Sequence, residues 1–173
     1  MGQLIALVNT DDIIIGYEKK QLVHSKGLLH RAFSIIIVNS KGELLLQRRA
    51  IDKYHSADLW TNTCCSHFPK GFDLEPYAHQ RLMEEMGFDC DLKFVEVFHY
   101  RVDFEDGMLE NEIDHIYLGV FDGSPSPDSS EVSEWKWMGV EEVKEDIRLN
   151  PDLYTYWFRF IVENHLDAIK KIL

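Results

Sequence analysis

The sequence predicts a single domain of the α/β or α+β class, in which helices pack against a mixed β-sheet. Its 173 residues suit one domain that is large enough to bury a core. Its content of 45% hydrophobic and 12% aromatic residues is typical of a folded globular protein. Segments with the two-residue period of strands and segments with helical spacing are both present, and no repeat interrupts them.

Strand patterns dominate the central part of the chain. Residues 32–49 contain two apolar runs around a turn with Asn39 and Gly42, which predicts a β-hairpin. Residues 92–104 and 111–121 predict a second pair of strands, joined by a turn at the EDG sequence. These two pairs supply most of the predicted sheet.

One further strand and a first helix are also predicted. Residues 132–138 alternate between apolar and polar side chains, which favours a strand. The DGSPSPDSSE segment before it predicts a surface loop rather than a domain boundary. The helix runs from about Leu74 to Met86, with Asp73 as its N-cap and Gly87 as its C-terminal stop.

A second helix is predicted after Asn150 and Pro151, because a capping residue followed by proline in the first turn is a helix-start signal. Its apolar stripe has helical spacing and consists of Leu153, Trp157, Phe160, Ile161, Ala168, Ile169 and Ile172. The order of elements therefore predicts one sheet with helices packed against it.

The composition restricts the partners and the location of the protein. A net charge of −12 argues against a nucleic-acid partner, since phosphate backbones are bound by clustered Lys and Arg. A small phosphorylated substrate remains compatible, because it requires only a local basic pocket. No apolar run reaches the roughly 20 residues of a membrane span, and the N-terminus lacks signal-peptide features. Three cysteines form no useful disulfide framework, so we predict a cytoplasmic protein.

A group of acidic and imidazole side chains carries the first chemical signal. Glu110 and Glu112 are two residues apart on a predicted strand, so both side chains lie on the same face of the sheet. An isolated pair of this kind is more often a solvated strand edge. Here His24, His30 and His67 are also present, and imidazoles with carboxylates suit a divalent metal such as zinc, manganese or iron.

Four ordered motifs together resemble a known family. WTNTCCSH, LENEIDHIY, LLHRAFS and QRRAIDK are similar to the corresponding segments of type I isopentenyl-diphosphate delta-isomerases, which belong to the Nudix fold superfamily. The similarity is collinear from about residue 5 to about residue 160. It implies a Nudix-type mixed β-sheet sandwiched by helices, with residues 1–173 forming a single Nudix-like isomerase domain. It also implies that the substrates are isopentenyl diphosphate and dimethylallyl diphosphate.

The resemblance implies roles for individual residues. The ligands of a catalytic divalent metal, Mn²⁺ or Zn²⁺, are expected to be His24, His30, His67, Glu110 and Glu112. Glu85 is expected to help hold a Mg²⁺ ion on the substrate diphosphate. The basic residues facing that diphosphate are expected to be Lys20, Arg49, Lys53 and Arg81. The aromatic residues lining the hydrocarbon pocket are expected to be Tyr100 and Trp157.

The resemblance also distinguishes the two adjacent cysteines. The WTNTCCSH motif places the catalytic cysteine at Cys65, while Cys64 and Cys90 are interpreted as small buried hydrophobic residues. Protonation of an unactivated alkene requires an acid on one face of the substrate and a base on the other. Glu112, with Tyr100 nearby, is the expected proton donor, and Cys65 is expected on the opposite face.

Two other functions are weighed against the isomerase. A Nudix hydrolase would share the fold, but its glutamate-rich signature is incomplete here, with Gln80 and Arg81 at the position of one glutamate. A zinc-binding module would use Cys64, Cys65 and His67, although structural zinc sites usually separate paired ligands by two to four residues. The protein is expected to act on a small-molecule isoprenyl diphosphate as a monomer or a weak homodimer.

One pair of predicted site residues has a simpler interpretation. Arg81 and Glu85 are four residues apart on one helical face, so they are also compatible with a solvated ion pair worth only about 0.3–0.5 kcal/mol. A second departure from the family pattern is Ser66, which follows Cys65 where glycine is expected.

Overall fold

A mixed β-sheet forms the centre of the protein. The computed structural model describes residues 3–53, 55–104 and 107–171. The strands of these residues are β1 (Leu4–Val8), β2 (Ile14–Lys19), β3 (His30–Val38), β4 (Glu43–Arg49), β5 (Trp60–Thr61), β6 (Cys64–His67), β7 (Leu92–Asp103), β8 (Leu109–Val120) and β9 (Val132–Gly139). The α-helices are α1 (Lys20–Lys26), α2 (Leu74–Met86), α3 (Val140–Leu149), α4 (Tyr156–Asn164) and α5 (Leu166–Lys170).

Strand β3 is the central strand of the sheet. It pairs in parallel with β8 along its whole length, and β8 pairs antiparallel with β7. On its other edge, β3 pairs antiparallel with β6 and meets β4 at Val38 and Leu44. Strand β4 pairs with β5 and β9, so β5 and β6 occupy the space between β3 and β4. These two short strands form a wedge that separates β3 from β4 and opens the sheet where the candidate site lies.

Helices cover both faces of the sheet. Even-numbered residues of β3, such as Ile36 and Val38, pack in a core with α3, α4 and α5. Odd-numbered residues, such as Ile35 and Ile37, pack in a second core with α2. A strand that is buried on both faces has an almost continuous apolar sequence, as in the SIIIV run of β3. The predicted mixed sheet sandwiched by helices is therefore confirmed.

Most of the predicted strands and the first predicted helix are also confirmed. β3 and β4 form the expected hairpin, where the Asn39 side chain accepts hydrogen bonds from the backbone of Lys41 and Glu43. β7 and β8 form the second pair, although Glu105 and Asp106 of its predicted turn lie outside the described residues. Strand β9 matches the third prediction, and the segment before it contains neither helix nor strand.

The prediction of one continuous helix after Pro151 is wrong. Residues Pro151–Leu153 form a short 3-10 turn, Leu153 is exposed, and the chain becomes extended at Tyr154 and Thr155 before α4 begins. The Thr155 amide donates a hydrogen bond to the carbonyl of Trp60, which pulls this segment onto β5 and interrupts the helix. Residue Ile172 of the predicted stripe lies outside the described residues.

Several other local features differ from the predictions. Asp73 occupies the N-cap position of α2, but its side chain makes no capping hydrogen bond. Gly87 ends that helix as predicted, with a φ of 73° and with the carbonyl oxygen of Ser126 only 2.2 Å from where a Cβ would lie. The elements β1, β2, α1, β5, β6 and α3 were not predicted. None of the helices in the described segments has the length and apolar character that a membrane span requires.

The hydroxyl of Tyr154 makes stability depend on pH. Buried Tyr154 donates a hydrogen bond to the Asp146 carboxylate at 2.5 Å, and this bond lowers the pKa of Asp146. A lowered folded-state pKa gives stability that is present above the unfolded value of about 3.9 and is lost as pH falls through the folded value. We expect Tyr154→Phe to lower the unfolding free energy by about 1 kcal/mol at pH 7.

Denaturant unfolding of wild type and Tyr154→Phe between pH 7 and pH 3 measures this effect. The difference between the two proteins should shrink as the pH falls below about 4. Tyr17→Phe, which alters a partly exposed tyrosine on β2, is the matched control. A difference that stays constant across this pH range would contradict the assignment.

Candidate active site

The pairing of three adjacent strands places the polar side chains of the site on one face of the sheet. In the ladders, His30 lies opposite Glu112, Ala32 lies opposite His67, and Ser34 lies opposite Cys65. Residues two apart on a strand, and residues directly opposite on neighbouring strands, share a face. The shared face therefore carries His30, Ser34, Cys65, His67, Glu110, Glu112 and Asp114.

The same alternation separates the two adjacent cysteines. Cys64 lies opposite Ile35, so its side chain points to the other face and is fully buried in the core beneath α2. Cys65 faces the candidate site and is one of its lining residues. Because the two side chains point in opposite directions, Cys64, Cys65 and His67 do not form a common set of zinc ligands.

Three imidazoles and two carboxylates meet at the end of this face. Helix α1 supplies His24, whose Nε2 lies 3.1 Å from Nε2 of His67 and 3.4 Å from Oε2 of Glu110. His30 Nε2 lies 3.5 Å from Oε2 of Glu110 and 3.1 Å from Oε1 of Glu112. His67 Nε2 lies 3.0 Å from the same Glu112 oxygen. The five predicted ligand side chains therefore form one connected cluster, which Glu112 joins through His30 and His67.

This cluster is suited to a divalent metal ion. Ligand atoms of His24, His30, His67 and Glu110 all lie within 4.8 Å of one another. The Oε2 atom of Glu110 is buried and accepts no hydrogen bond, which is costly for a carboxylate oxygen unless a cation satisfies it. Nδ1 of His30 lies 2.9 Å from the carbonyl of Leu28, so Nε2 is left to face the cluster. Nitrogen and oxygen donors of this kind suit zinc, manganese or iron.

Electrostatics keeps two of the imidazoles neutral. Burial lowers the pKa of His24 and of His67 to about 3, so both rings can offer a nitrogen lone pair. Burial also acts to lower the pKa of His30, but the adjacent carboxylates of Glu110 and Glu112 outweigh it and raise the value to about 10. The three rings therefore do not have equivalent environments.

The two glutamates have opposite pKa shifts. Burial and the neighbouring Glu112 charge raise the pKa of Glu110 to about 7. Burial also opposes ionisation of Glu112, but hydrogen bonds from His30 and His67 outweigh burial and lower its pKa. The Tyr100 hydroxyl donates a 2.6 Å hydrogen bond to Oε2 of Glu112, while Oε1 faces the imidazoles. We call His24, His30, His67, Glu110 and Glu112 the metal-type cluster. Glu112 therefore links this cluster to the buried phenol of Tyr100.

A cavity of about 470 Å³ opens above this cluster, a size typical of small-molecule sites. The cavity is lined by residues of α2 on one face of the sheet and by Trp157 of α4 on the other face, because the wedge between β3 and β4 opens the sheet at this point. The predicted site residues among its lining are Lys20, Arg49, Lys53, Cys65, His67, Arg81, Glu85, Tyr100, Glu110, Glu112 and Trp157. His24 and His30 are fully buried and complete the metal-type cluster.

One part of the cavity wall is strongly charged. Glu85 is buried and accepts hydrogen bonds from Arg81 at 2.5 Å and from Gln47 at 3.0 Å. Arg81 also lies 3.6 Å from Glu131, which forms an ion pair with Lys53. The Arg81–Glu85 pair is therefore not the solvated surface pair considered from the sequence.

Another part of the wall combines the thiol with aromatic rings. Burial raises the pKa of Cys65 to about 12 despite the opposing charge of Arg49, so the sulfur carries its proton at neutral pH. Trp157 is buried, and the Arg49 guanidinium lies 5.3 Å from the centre of its ring. The cavity thus joins a region of paired charges to a region with a thiol and aromatic rings.

The acidic or imidazole residues of the cavity that were not predicted are Asp52, His55, Asp114 and Glu131. Asp114 continues the spacing of Glu110 and Glu112 along β8, and Ser34 donates a 2.7 Å hydrogen bond to it. The two-residue spacing along β8 is a sequence signal from which Asp114 could have been predicted. His55 and Glu131 also line the cavity, but they lie outside helices and strands and carry no periodic signal.

Comparisons with known proteins agree with this arrangement. The NUDIX domain family matches residues 28–158. A Photorhabdus laumondii protein named isopentenyl-diphosphate Delta-isomerase 2 is 48% identical over 162 residues, which cover 94% of this chain and 92% of that protein. The chain belongs to the isopentenyl-diphosphate Delta-isomerase family of NUDIX-domain proteins. A Serratia proteamaculans isopentenyl-diphosphate Delta-isomerase is 44% identical, with 95% of this chain and 92% of that protein covered.

Solved structures agree on the fold of this isomerase family member. A crystal structure of a Deinococcus radiodurans protein has a TM-score of 0.78 at 16% identity and covers 93% of this chain and 98% of that chain. A MutT protein from Methanosarcina mazei has a TM-score of 0.65 at 16% identity, with coverages of 83% and 95%. At these identities the similarity concerns the fold alone.

The geometry of the cluster predicts one bound divalent ion per chain with nitrogen and oxygen ligands. Metal analysis of the purified protein should find that ion, and His30→Ala should remove most of it because His30 lies at the centre of the cluster. His99→Ala alters a histidine on β7 that pairs with Asn111, and this variant should bind as much of the divalent ion as the wild type does.

Absorption of the cobalt-substituted protein tests the ligand types. We expect weak bands from nitrogen and oxygen coordination. An intense sulfur-to-metal charge-transfer band would contradict the prediction and support a thiolate site.

Proposed function

We propose that this chain catalyses the interconversion of isopentenyl diphosphate and dimethylallyl diphosphate in isoprenoid biosynthesis, with residues 1–173 acting as one domain. One observation carries the proposal: a single cavity is lined by a basic region, by the Glu112–Tyr100 pair, by Cys65 and by Trp157. The substrate has the matching parts, which are a diphosphate, a hydrocarbon chain and a double bond that must gain one proton and lose another.

Glu112 is the proposed acid of the first proton transfer. Protonation of the terminal alkene carbon produces a tertiary carbocation, so the donor must be strong and well placed. The Tyr100 hydroxyl holds one Glu112 oxygen, and the imidazoles of His30 and His67 approach the other. This network fixes the carboxylate at the cavity wall. Because the lowered pKa leaves Glu112 ionised, the proton that passes to the terminal carbon of the alkene is the one that the Tyr100 hydroxyl donates to the carboxylate, and solvent later restores it.

Cys65 is the proposed partner in the second proton transfer. Loss of a proton from the carbon next to the cation completes the shift of the double bond. The Cys65 thiol can give its proton to dimethylallyl diphosphate in the reverse direction, and the thiolate that this leaves can accept the proton in the forward direction. Cys65 lies on β6 and Glu112 lies on β8, so the central strand β3 separates the two groups. This placement suits two groups that act on different sides of one substrate.

Trp157 and the enclosed cavity are proposed to protect the cation. A ring face next to a dry positive charge contributes roughly 0.5–2 kcal/mol. Trp157 is 4% exposed, and the neighbouring aromatic Tyr100 is equally buried. Their packing excludes water that would otherwise capture the carbocation.

The basic region is proposed to bind the diphosphate. Lys20, Arg49, Lys53 and Arg81 all line the cavity. Glu85 is the proposed protein ligand of a Mg²⁺ ion that accompanies the diphosphate, and the hydrogen bond that Glu85 accepts from Gln47 helps to orient its carboxylate. Binding energy from this remote group can hold the reacting carbons in position.

We further propose that the five-residue cluster holds Zn²⁺ or Mn²⁺. Its ligands would be His24, His30, His67, Glu110 and Glu112. When bound, such an ion supplies positive charge that reduces repulsion between the two carboxylates and strengthens a coordinated acid. Glu112 retains its contact with Tyr100 through the oxygen that faces away from the imidazoles.

The cellular context is also a proposal. All three cysteines are free thiols, which supports a location in the reducing cytoplasm. The net charge of −12 supports a small-molecule substrate without a nucleic-acid or membrane partner. The enzyme is proposed to work as a monomer or a weak homodimer.

Incubation with isopentenyl diphosphate tests the activity. With Mg²⁺ and either Mn²⁺ or Zn²⁺ present, we expect dimethylallyl diphosphate as the product, and we expect deuterium from D₂O in its methyl groups. Cys65→Ala should abolish the conversion without unfolding the protein. Release of phosphate and isopentenyl monophosphate instead would identify a hydrolase.

Cys64→Ala is the matched control for the thiol. Because Cys64 is buried on the other face, its loss should lower stability by about 1 kcal/mol while the isomerase activity persists. Equal loss of activity in both cysteine variants, or an active Cys65→Ala protein, would reject the proposed role.

Glutamine variants separate the roles of the two glutamates. Glu112→Gln should retain most of the metal and lose activity by at least the 10²–10⁴-fold that is typical of general acid catalysis. Glu110→Gln should lower metal occupancy and recover part of its activity when metal is added. Activity titrations with Mn²⁺ measure both variants. Metal rescue of Glu112→Gln but not of Glu110→Gln would mean that the roles are reversed.

A further inference from the structure

His55 lies beside the metal-type cluster, although it is not one of the five proposed ligands. It belongs to the loop between β4 and β5, and its side chain is 8% exposed. Its Nε2 atom lies 3.4 Å from Oε1 of Glu110, and its Nδ1 atom lies 3.4 Å from the hydroxyl of Ser56. The imidazole is therefore held between a loop hydroxyl and a buried carboxylate.

The contacts of Glu110 divide between its two oxygens. Oε2 faces Nε2 of His24 at 3.4 Å and Nε2 of His30 at 3.5 Å. Oε1 faces away from these rings and towards His55. A carboxylate that can rotate offers either oxygen, or both, to a metal, whereas a carboxylate anchored through one oxygen offers only the other.

The loop that carries His55 is firmly held. The Arg49 guanidinium donates hydrogen bonds to the carbonyls of His55 and Ser56, at 3.2 and 3.1 Å. The rings of Trp157 and Phe104 lie 5.8 and 6.3 Å from the imidazole ring. The ring is thus enclosed on several sides, which limits the directions in which Nε2 can point.

We propose that His55 is a positioning residue that donates a hydrogen bond from Nε2 to Oε1 of Glu110 and so directs Oε2 of Glu110 to the metal. Ser56 supports this arrangement because its hydroxyl donates a hydrogen bond to Nδ1, so the proton of the neutral ring lies on Nε2. The inference rests on the proposed function, because it assumes the metal site described above.

The same loop also connects the metal site with the diphosphate region. Arg49 and Lys53 belong to the segment that holds His55, and both line the cavity. Removal of the His55 contact should therefore act on metal affinity first, and on substrate binding only through the loop.

The test compares metal affinity among variants by competition with a chromophoric chelator for Zn²⁺. His55→Leu keeps the volume and loses the donor, so its affinity should fall 10–100-fold, which is typical when a group behind a metal ligand is removed. His55→Gln places an amide N–H close to the original Nε2 and should recover most of that affinity. His79→Leu is the control: it alters a histidine on α2 that pairs with Asp89, and its Zn²⁺ affinity should match that of the wild type.

A second measurement distinguishes positioning from direct coordination. The cobalt-substituted forms of wild type and His55→Leu should have the same number and energies of visible bands, because the ligand set does not change. Thermal unfolding of the metal-free proteins verifies that each variant is folded, and His55→Ala repeats the affinity measurement if the leucine variant is not.

The outcomes separate the failure of each proposal. A wild type that binds no Zn²⁺ overturns the metal site and the role of His55 together. A wild type that binds Zn²⁺, with His55→Leu or His55→Ala equally tight, overturns only the role of His55. A changed cobalt spectrum that His55→Gln fails to restore would make His55 a ligand and would also overturn the inference.

Discussion

The register of β3 with its two neighbours is the constraint on which the site depends. Parallel pairing with β8 sets His30 beside Glu112, and antiparallel pairing with β6 sets Cys65 beside Ser34. A slip of one residue in either ladder would turn the polar side chains of that strand into a hydrophobic core. The apolar residues that alternate with them prevent such a slip, because Ile35 and Cys64 must remain beneath α2.

This arrangement places polar groups where burial is costly. Glu110 and Glu112 are 1% and 6% exposed, and His24 and His30 are fully buried. Isolated buried charges would destabilise the fold by several kcal/mol each, so the groups must satisfy one another or a cation. The cores on both faces of the sheet supply the compensating stability. The site is therefore a concentrated polar cluster supported by an otherwise well-packed sheet.

The sequence was most informative where the signal was local. The Asn39–Gly42 hairpin and helix α2 have turn and cap residues at fixed positions, and the two-residue spacing of Glu110 and Glu112 correctly placed them on one face. The break at Tyr154 and Thr155 was missed because it depends on a contact with Trp60, 95 residues earlier than Thr155. Convergence of His24 with the strands required the family resemblance, and His55 lies on a loop with no periodic pattern.

The opposite orientation of the adjacent thiols has a consequence for oxidative damage. Two neighbouring cysteines can protect each other only if their sulfur atoms meet, and here they point to different faces of the sheet. An oxidised Cys65 would have no resolving thiol at Cys64 with which to form a reversible disulfide, so further oxidation would be irreversible. Its remaining protection is chemical, because a half-buried thiol that keeps its proton reacts slowly with peroxides.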